Sequence, residues 1–203
     1  MTSAWTNRQF RPDDVPDPVI HDVLDAARFA PSGGNRQGWR VVVVKDPDTR
    51  LRLRDLYLDA WNPYIATVRA NSGATRLQSR SVQAADDFAQ GLHEIPVLLV
   101  VCVDLSALQV TDAGLDRQSI VGGASVYPFV QNILLASRDA GLGASLTTIL
   151  CASEPAVVEL LGIPDGLAVA ALVALGWPVK VPTKLTRRPV EEFAFRERYG
   201  APL

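Results

Sequence analysis

The sequence contains few histidines and cysteines, two residue types that serve often in catalysis and metal binding. Among its 203 residues are two histidines, His21 and His93, and two cysteines, Cys102 and Cys151. Neither histidine lies near a serine, cysteine or carboxylate in the spacing of a hydrolase. The sequence also lacks a Gly-x-Ser-x-Gly segment, a Walker loop and a cluster of metal ligands. These absences argue against a nucleophile supplied by the protein and against a metal site.

Charge and hydropathy argue against two further classes of partner. The 20 Lys and Arg residues nearly balance 22 Asp and Glu residues, which leaves a formal net charge of −2. There is no polybasic stretch, so we expect neither nucleic acid nor a membrane surface as a partner. Gly, Pro or polar residues interrupt the apolar stretches before they reach spanning length. The N-terminus lacks the layout of a signal peptide, and both cysteines have apolar neighbours, as buried thiols do in a reducing compartment. We therefore expect a cytoplasmic protein.

Hydrophobic periodicity predicts alternating helices and strands in one α+β domain that covers residues 1–203. The expected helices cover residues 17–30, 51–60, 77–92, 120–140 and a segment that starts after Ser153. The expected strands cover residues 40–44, 96–103, 145–150 and 167–176. The helix over residues 120–140 is apolar around most of its circumference, which predicts burial nearly all round and a cap at Gly141. The strand over residues 96–103 does not alternate, which is typical of burial on both faces.

A glycine-rich loop stands out between the first helix and the first strand. It reads Pro31-Ser32-Gly33-Gly34-Asn35-Arg36-Gln37-Gly38 and runs into Trp39, Arg40 and four valines. Paired glycines allow positive φ and let a ligand approach the backbone closely. The side chains of Ser32, Asn35 and Gln37 add hydrogen-bond donors and acceptors. Taken alone, the loop fits either a site for a flat ligand with polar edges or an ordinary helix-to-strand turn.

Three other segments accompany this loop. They are Thr6-Asn7-Arg8-Gln9-Phe10 near the N-terminus, Gly141-Leu142-Gly143-Ala144-Ser145 after the long helix, and Lys184-Leu185-Thr186-Arg187-Arg188-Pro189 near the C-terminus. Together and in this order, the four segments resemble the FMN-dependent nitroreductase family over residues 6–199. The resemblance implies a three-layer fold, in which helices flank a central mixed and mostly antiparallel sheet. It also implies a homodimer with FMN at the interface between the two subunits.

The resemblance further implies which residues bind the cofactor. The phosphate would meet Arg8, Arg187 and Arg188, whose guanidinium groups suit phosphate. The partner subunit would donate the loop of residues 31–35, and backbone amides of residues 146–149 would face the N5 edge of the flavin. The complete set is Thr6, Arg8, Pro31, Ser32, Gly33, Asn35, Gln37, Thr147, Thr148, Ile149, Arg187 and Arg188. From the residues alone, the arginine pair also fits a solvated turn.

This chain departs from the family pattern at two places. Where two basic residues and a serine are usual, it has Ala4, Trp5 and Thr6. Thr6 can replace the serine hydroxyl, whereas Ala4 and Trp5 cannot bind phosphate. Gly38 occupies a position where proline is usual, which should loosen the turn.

The activity implied by the resemblance is the FMN-dependent reduction of an electrophilic small molecule, such as a nitroaromatic or a quinone, by NAD(P)H. Hydride would enter and leave by one flavin face, which gives ping-pong kinetics. In the family, the region that corresponds to residues 62–90 often covers the substrate side of the flavin, so Tyr64 and Arg69 are candidate substrate contacts. A solvated loop and helix is the other interpretation of that region. Two further functions stay open: different flavin chemistry (desaturation, dehalogenation or deazaflavin-linked reactions), and flavin binding with little turnover, which Ala4-Trp5-Thr6 favours.

Overall fold

The computed structural model describes residues 2–71 and 76–203, with side chains for all of these except residues 71 and 76–79. In that part of the chain there are five α-helices and four β-strands. The helices are α1 (Asp17–Ala27), α2 (Pro47–Asn71), α3 (Arg76–Gln90), α4 (Tyr127–Asp139) and α5 (Glu154–Leu161). The strands are β1 (Trp39–Val44), β2 (Val97–Asp104), β3 (Gly143–Thr147) and β4 (Leu167–Gly176). None of the helices described has the length and hydropathy of a membrane span.

The strands form one sheet in the order β1-β2-β4-β3, and each neighbouring pair is antiparallel. In the described residues, parallel pairing is confined to a bridge between Thr6 and Ala144. Strands β2 and β4 lie in the centre of the sheet, and helices cover both of their faces. This position explains why residues 97–103 are all buried and do not alternate with polar residues. The α+β fold expected from the sequence is confirmed.

Strand β2 separates two hydrophobic cores. Leu99 and Val101 face the core formed with α1 and α4, while Leu98 and Val100 face the core formed with α2, α3 and α5. Successive side chains of a strand point to opposite faces, so one strand contributes to both cores. The result is three layers, with helices on either side of the sheet.

Several elements match their sequence patterns closely. Helix α1 begins at Asp17 and buries Ile20, Val23 and Ala27 at the expected spacing. Strand β4 covers the ten residues that its apolar run predicted. Helix α4 ends as expected, because Gly141 follows it with a φ of +79° and the N–H of Leu142 reaches back to the carbonyl of Ser137.

Helix α2 is much longer than the sequence suggested. It was expected over residues 51–60 but covers Pro47–Asn71 and continues past Pro63, while α3 (Arg76–Gln90) lies close to the helix expected over residues 77–92. Proline lacks the N–H that a helix interior needs, which costs stability. Packing offsets that cost, because one face of α2 places four buried side chains four residues apart: Leu53, Tyr57, Trp61 and Ile65.

The expectation of one helix over residues 120–140 is wrong. Helix α4 starts at Tyr127, and a 3-10 turn over Gly122–Ser125 precedes it. The carboxylate of Asp112 accepts hydrogen bonds from the Ile120 N–H and the side chains of Ser119 and Arg117, which holds residues 112–120 as a loop.

The expectation that this helix is buried on nearly all sides is also wrong, because Tyr127 and Gln131 are exposed. The third strand is displaced as well. It covers Gly143–Thr147 rather than residues 145–150, and residues Ile149–Ser153 form a 3-10 turn.

Candidate functional site

The N-terminal segment lies along β3, held there by Asn7. The N–H of Asn7 donates to the Ala144 carbonyl at 2.9 Å, and its side-chain Nδ2 donates to the Gln9 carbonyl at 3.0 Å. Asn7 is buried, whereas its neighbours Thr6 and Arg8 are exposed, as alternation along an extended segment requires. Asn7 thus anchors the segment from inside and leaves Thr6 and Arg8 facing outwards.

This close approach depends on Gly143. A Cβ built on Gly143 would stand 2.6 Å from Nδ2, 2.7 Å from Cγ and 2.8 Å from Cβ of Asn7. Carbon and nitrogen atoms do not pack at such distances, so either the asparagine or the strand would have to move. Gly143, the second glycine of the segment after the long helix, therefore positions Arg8 indirectly.

Arg8 and Lys180 line a surface depression of about 450 Å³, which we call the cationic depression. Neither side chain has a hydrogen-bond or ion-pair partner among the described residues. Thr6 lies on the same surface, as does Asp87, whose carboxylate accepts from Gln83. Two cations and a hydroxyl outnumber one carboxylate here, and this donor set suits an anion. Thr6 and Arg8 were candidate residues in the sequence. Lys180 was not, because it follows β4 in a stretch that contains no motif.

A smaller aromatic cleft of about 150 Å³ adjoins the cationic depression at Arg8. The residues that line it come from the N-terminal segment, α2, α3, β3 and the turn after β3: Arg8, Tyr57, Trp61, Tyr64, Ala85, Phe88, Ser145, Leu146, Thr147 and Ile149. The structure therefore brings Arg8, Thr147, Ile149 and Tyr64 to one cleft. Thr148 is exposed between Thr147 and Ile149.

One hydrogen-bonded chain fixes the floor of the aromatic cleft. The hydroxyl of Tyr57 lies 3.1 Å from Oγ1 of Thr147, and that same oxygen accepts from the Ile149 N–H at 3.3 Å. Burial raises the pKa of Tyr57, so the phenol keeps its proton and remains a hydrogen-bond donor. Sequence reasoning missed Tyr57, although its place in the four-residue repeat of α2 could have indicated an inward-facing residue.

Asp86 of α3 holds two residues of α2, one of which, Trp61, lines the aromatic cleft. One carboxylate oxygen accepts from Nε1 of Trp61 at 2.8 Å, and the other lies 2.8 Å from Nη2 of Arg69. Tyr64 is 51% exposed, with its ring centroid 5.6 Å from that of Trp61. Of the two candidate substrate contacts, Tyr64 lines the cleft, while Arg69 is not among its lining residues and instead binds Asp86.

The glycine-rich loop lines neither the cationic depression nor the aromatic cleft of the same chain. Its shape is held by internal bonds, in which Ser32 Oγ accepts from the Gln37 N–H and Gln37 Nε2 donates to the Asn35 side chain. A further bond runs from the Gly33 N–H to Ser125 Oγ, just before α4. Pro31, Gly33, Asn35 and Gln37 remain exposed.

The arginine pair near the C-terminus is likewise exposed and separate from both surfaces. Arg187 donates to the carbonyl of its neighbour Thr186, and Nε of Arg188 lies 3.9 Å from a Glu192 carboxylate oxygen. Among the described residues of one chain, Arg8 lines the aromatic cleft, and Arg8 and Lys180 line the cationic depression, whereas this pair lines neither.

Comparison with known proteins decides the family. The model of the family described as "Nitroreductase family" matches residues 1–177. The chain belongs to the nitroreductase family. The matched stretch includes the N-terminal segment, the glycine-rich loop and β3, whereas Arg187 and Arg188 lie beyond it.

Two curated nitroreductase-family relatives differ in the activity that their names give. A protein named NADH dehydrogenase from Thermus thermophilus is 28% identical, and the alignment covers 91% of this chain and 87% of that protein. A 5,6-dimethylbenzimidazole synthase from Rhodospirillum rubrum is 30% identical, with 84% of this chain and 76% of that protein covered.

Among solved structures, an iodotyrosine deiodinase bound to FMN and 3-iodo-L-tyrosine has a TM-score of 0.73 at 23% identity. The superposition covers 97% of this chain and 95% of the deiodinase chain. The nitroreductase fold is thus shared along nearly the whole chain, while the names span more than one chemistry.

Proposed function

We propose that residues 1–203 form a single FMN-binding domain, and that the protein is an oxidoreductase passing hydride from NAD(P)H to an electrophilic small molecule. The observation that carries this proposal is that the cationic depression and the aromatic cleft meet at Arg8. FMN has two corresponding parts, a phosphate and a flat ring system. When bound, FMN would supply the hydride chemistry, so the protein needs no nucleophile of its own.

The donor set of the cationic depression fits the phosphate. Arg8 offers a planar fork of N–H donors, Lys180 a second positive charge and Thr6 a hydroxyl. Because Arg8 and Lys180 have no partner among the described residues, an anion would gain two charges that no carboxylate of those residues already neutralises. Arg8 remains the N-terminal phosphate ligand proposed from the sequence, and Lys180 joins it.

The end of β3 is the proposed contact for the polar edge of the ring. Thr147 and Ile149 line the aromatic cleft, and Thr148 is exposed between them. The role of this segment is to orient the ring by hydrogen bonds while aromatic side chains of α2 and α3 exclude water from one side. Trp61 and Phe88 are buried and contribute the apolar part of that wall.

A second copy of the chain completes the proposed site. The glycine-rich loop is exposed and lies apart from the cleft, as expected for a group that acts on a partner subunit's cofactor. Several large apolar side chains are also exposed, among them Phe29 at 72% and Ile120 at 75%. Exposed apolar surface of this kind is typical of an interface, so we propose a homodimer. The free thiols Cys102 and Cys151 suit a cytoplasmic location.

The test combines flavin content, oligomeric state and kinetics of the purified protein. We expect a yellow homodimer by analytical ultracentrifugation, with about one FMN per chain, and oxidation of NADH or NADPH that depends on an added quinone. Hydride entering and leaving by one face gives parallel lines in double-reciprocal plots. A flavin-loaded monomer would exclude the shared site, and intersecting lines would exclude the single-face mechanism.

A second candidate is flavin chemistry of another kind on the same fold. It is favoured by the 30% identity to a protein named 5,6-dimethylbenzimidazole synthase, whose name describes a synthesis rather than the reduction of an acceptor. Binding of FMN without quinone-dependent oxidation of either nicotinamide would support this candidate or a flavin-binding protein with little turnover. Reducing the bound flavin in air and identifying the products then distinguishes other flavin chemistry from flavin binding with little turnover.

A further inference from the structure

We propose that Asp86 is a positioning residue that fixes the indole of Trp61 in the wall of the aromatic cleft, and thereby determines which acceptors fit. The part of this inference that concerns acceptors rests on the proposed function above. The part that concerns Trp61 rests on the contacts alone.

The two oxygens of Asp86 bind two different residues of α2. Oδ1 accepts from the Trp61 indole at 2.8 Å, and Oδ2 pairs with the Arg69 guanidinium at 2.8 Å. The carboxylate is 17% exposed, so solvent competes weakly for it, and Arg69 balances its charge. The hydrogen bond from Trp61, together with those from Arg69 and Gln90, holds the pKa of Asp86 below its ordinary value. Asp86 is therefore ionised and bound on both sides.

The indole has a strong reason to keep this bond. Its N–H is a donor only, and Trp61 is 6% exposed, so rotation away from Asp86 would leave a buried donor without an acceptor. A hydrogen bond to a carboxylate is also stronger than one to a neutral group. Asp86 thus selects one orientation of a ring that lines the cleft.

The neighbouring rings follow the indole. The centroid of Tyr57 lies 6.1 Å from that of Trp61 at an interplanar angle of 24°, and that of Tyr64 lies 5.6 Å away at 47°. A change in the tilt of Trp61 alters the space beside both rings. Since Tyr57 also binds Thr147 in the cleft floor, the width of the cleft depends on the indole.

This arrangement assigns Arg69 a role different from substrate contact. Arg69 acts on the cleft through Asp86, at a distance from any bound acceptor, whereas Tyr64 lines the cleft itself. Replacing Arg69 should consequently resemble a weak version of replacing Asp86.

The experiment compares four variants with the wild-type holoenzyme. Asp86→Ala removes the bonds to Trp61 and Arg69, Asp86→Asn keeps an acceptor for the indole, and Arg69→Gln removes the ion pair. Asp59→Asn is the control, because Asp59 is an exposed carboxylate on the same helix as Trp61. Two-dimensional NMR follows hydrogen exchange at the Trp61 indole, whose signal is assigned by its loss in Trp61→Phe. Thermal unfolding shows that each variant is folded.

We expect indole exchange to accelerate about tenfold or more in Asp86→Ala, since a charged acceptor is lost, and less in Asp86→Asn and Arg69→Gln. The ratio of kcat/KM for a small quinone to that for a bulky quinone should change about tenfold in Asp86→Ala, mainly through KM. FMN content and reduction by NAD(P)H are measured for every variant, so that the quinone ratio is compared among flavin-loaded enzymes.

Unchanged indole exchange in Asp86→Ala would overturn the proposal. Faster exchange with an unchanged quinone ratio would overturn the role in acceptor choice. If the wild type neither binds FMN nor turns over quinone, the proposed function fails, and the indole signal alone decides whether Asp86 positions Trp61.

Discussion

Replacing Gly143 with alanine tests how the N-terminal segment reaches the cleft. The added Cβ would stand within 2.6 to 2.8 Å of three atoms of the Asn7 side chain. Asn7 is 3% exposed and its Nδ2 donates to the Gln9 carbonyl, so its side chain cannot turn away without losing that hydrogen bond. The strain must therefore move Asn7, and with it the hydrogen bond from its N–H to the Ala144 carbonyl.

The expected loss of stability follows from overpacking. A methyl group forced into a packed site costs about 1–3 kcal/mol. In a chain of this length, each kcal/mol lowers Tm by roughly 2–4 °C, so we expect Tm to fall by roughly 2–12 °C. Arg8 follows Asn7 along the segment, and its displacement removes a charged hydrogen bond to phosphate. FMN affinity should then fall about 10- to 100-fold.

Differential scanning fluorimetry and quenching of FMN fluorescence measure the two effects. Gly114→Ala is the matched control, since a Cβ there meets no atom within 4 Å and should leave both values near wild type. In Gly143→Ala with Asn7→Gly, the clash is removed, so Tm should recover in part. If Gly143→Ala behaves like Gly114→Ala, the segment is not held in the way described here.

Three other predictions concern residues away from this anchor. The bonds from the Ile120 N–H and from Ser119 and Arg117 hold the pKa of Asp112 at about 2. The stability it contributes is thus complete above the unfolded value of about 4 and is lost as pH falls towards 2. Urea titrations should show Asp112→Asn less stable than wild type at pH 7, with the difference shrinking below pH 4. Removing both Arg187 and Arg188 should weaken FMN binding by roughly 2–5 kcal/mol if the pair is desolvated at the phosphate. Wild-type retention of FMN would identify them as surface charges. A Cβ on Gly38 would stand 2.5 Å from that of Ala107, so Gly38→Ala should cost about 1–3 kcal/mol. Adding Ala107→Gly should recover part of that cost, and no recovery would show that Ala107 is not the obstacle.

Sequence patterns predicted elements whose stability depends mainly on their own apolar residues. The run that forms β4 and the spacing of Ile20, Val23 and Ala27 in α1 gave correct elements. Helix α2 was predicted only as far as residue 60, because the sequence shows little periodicity from residue 62 onwards, whereas tertiary packing of one helix face carries the helix past Pro63. The start of α4 was missed for a related reason: a distant carboxylate, Asp112, holds the preceding residues as a loop.

The residues of the candidate site likewise fall into those that a sequence motif predicts and those that it does not. Arg8 and Thr147 belong to motifs, so a resemblance in sequence was sufficient to select them. Lys180 and Asp86 belong to no motif, and they reach the site only because β4 and α3 lie beside the N-terminal segment and α2. Their contributions depend on tertiary proximity, which local patterns do not encode. The exposed pair Arg187 and Arg188 lines neither surface in one chain, so its role at the phosphate remains a prediction.

The division of β2 between two cores has a consequence for how this protein can change. Leu98 and Val100 support the layer that carries the aromatic cleft, while Leu99 and Val101 support the opposite layer. A substitution on one face of β2 disturbs packing on that side and leaves the other layer in place, because the sheet itself separates them. The helices around the cleft can therefore be remodelled for a different ligand while α1, α4 and the glycine-rich loop keep their positions. Variation in chemistry and constancy of scaffold can thus coexist in one small chain.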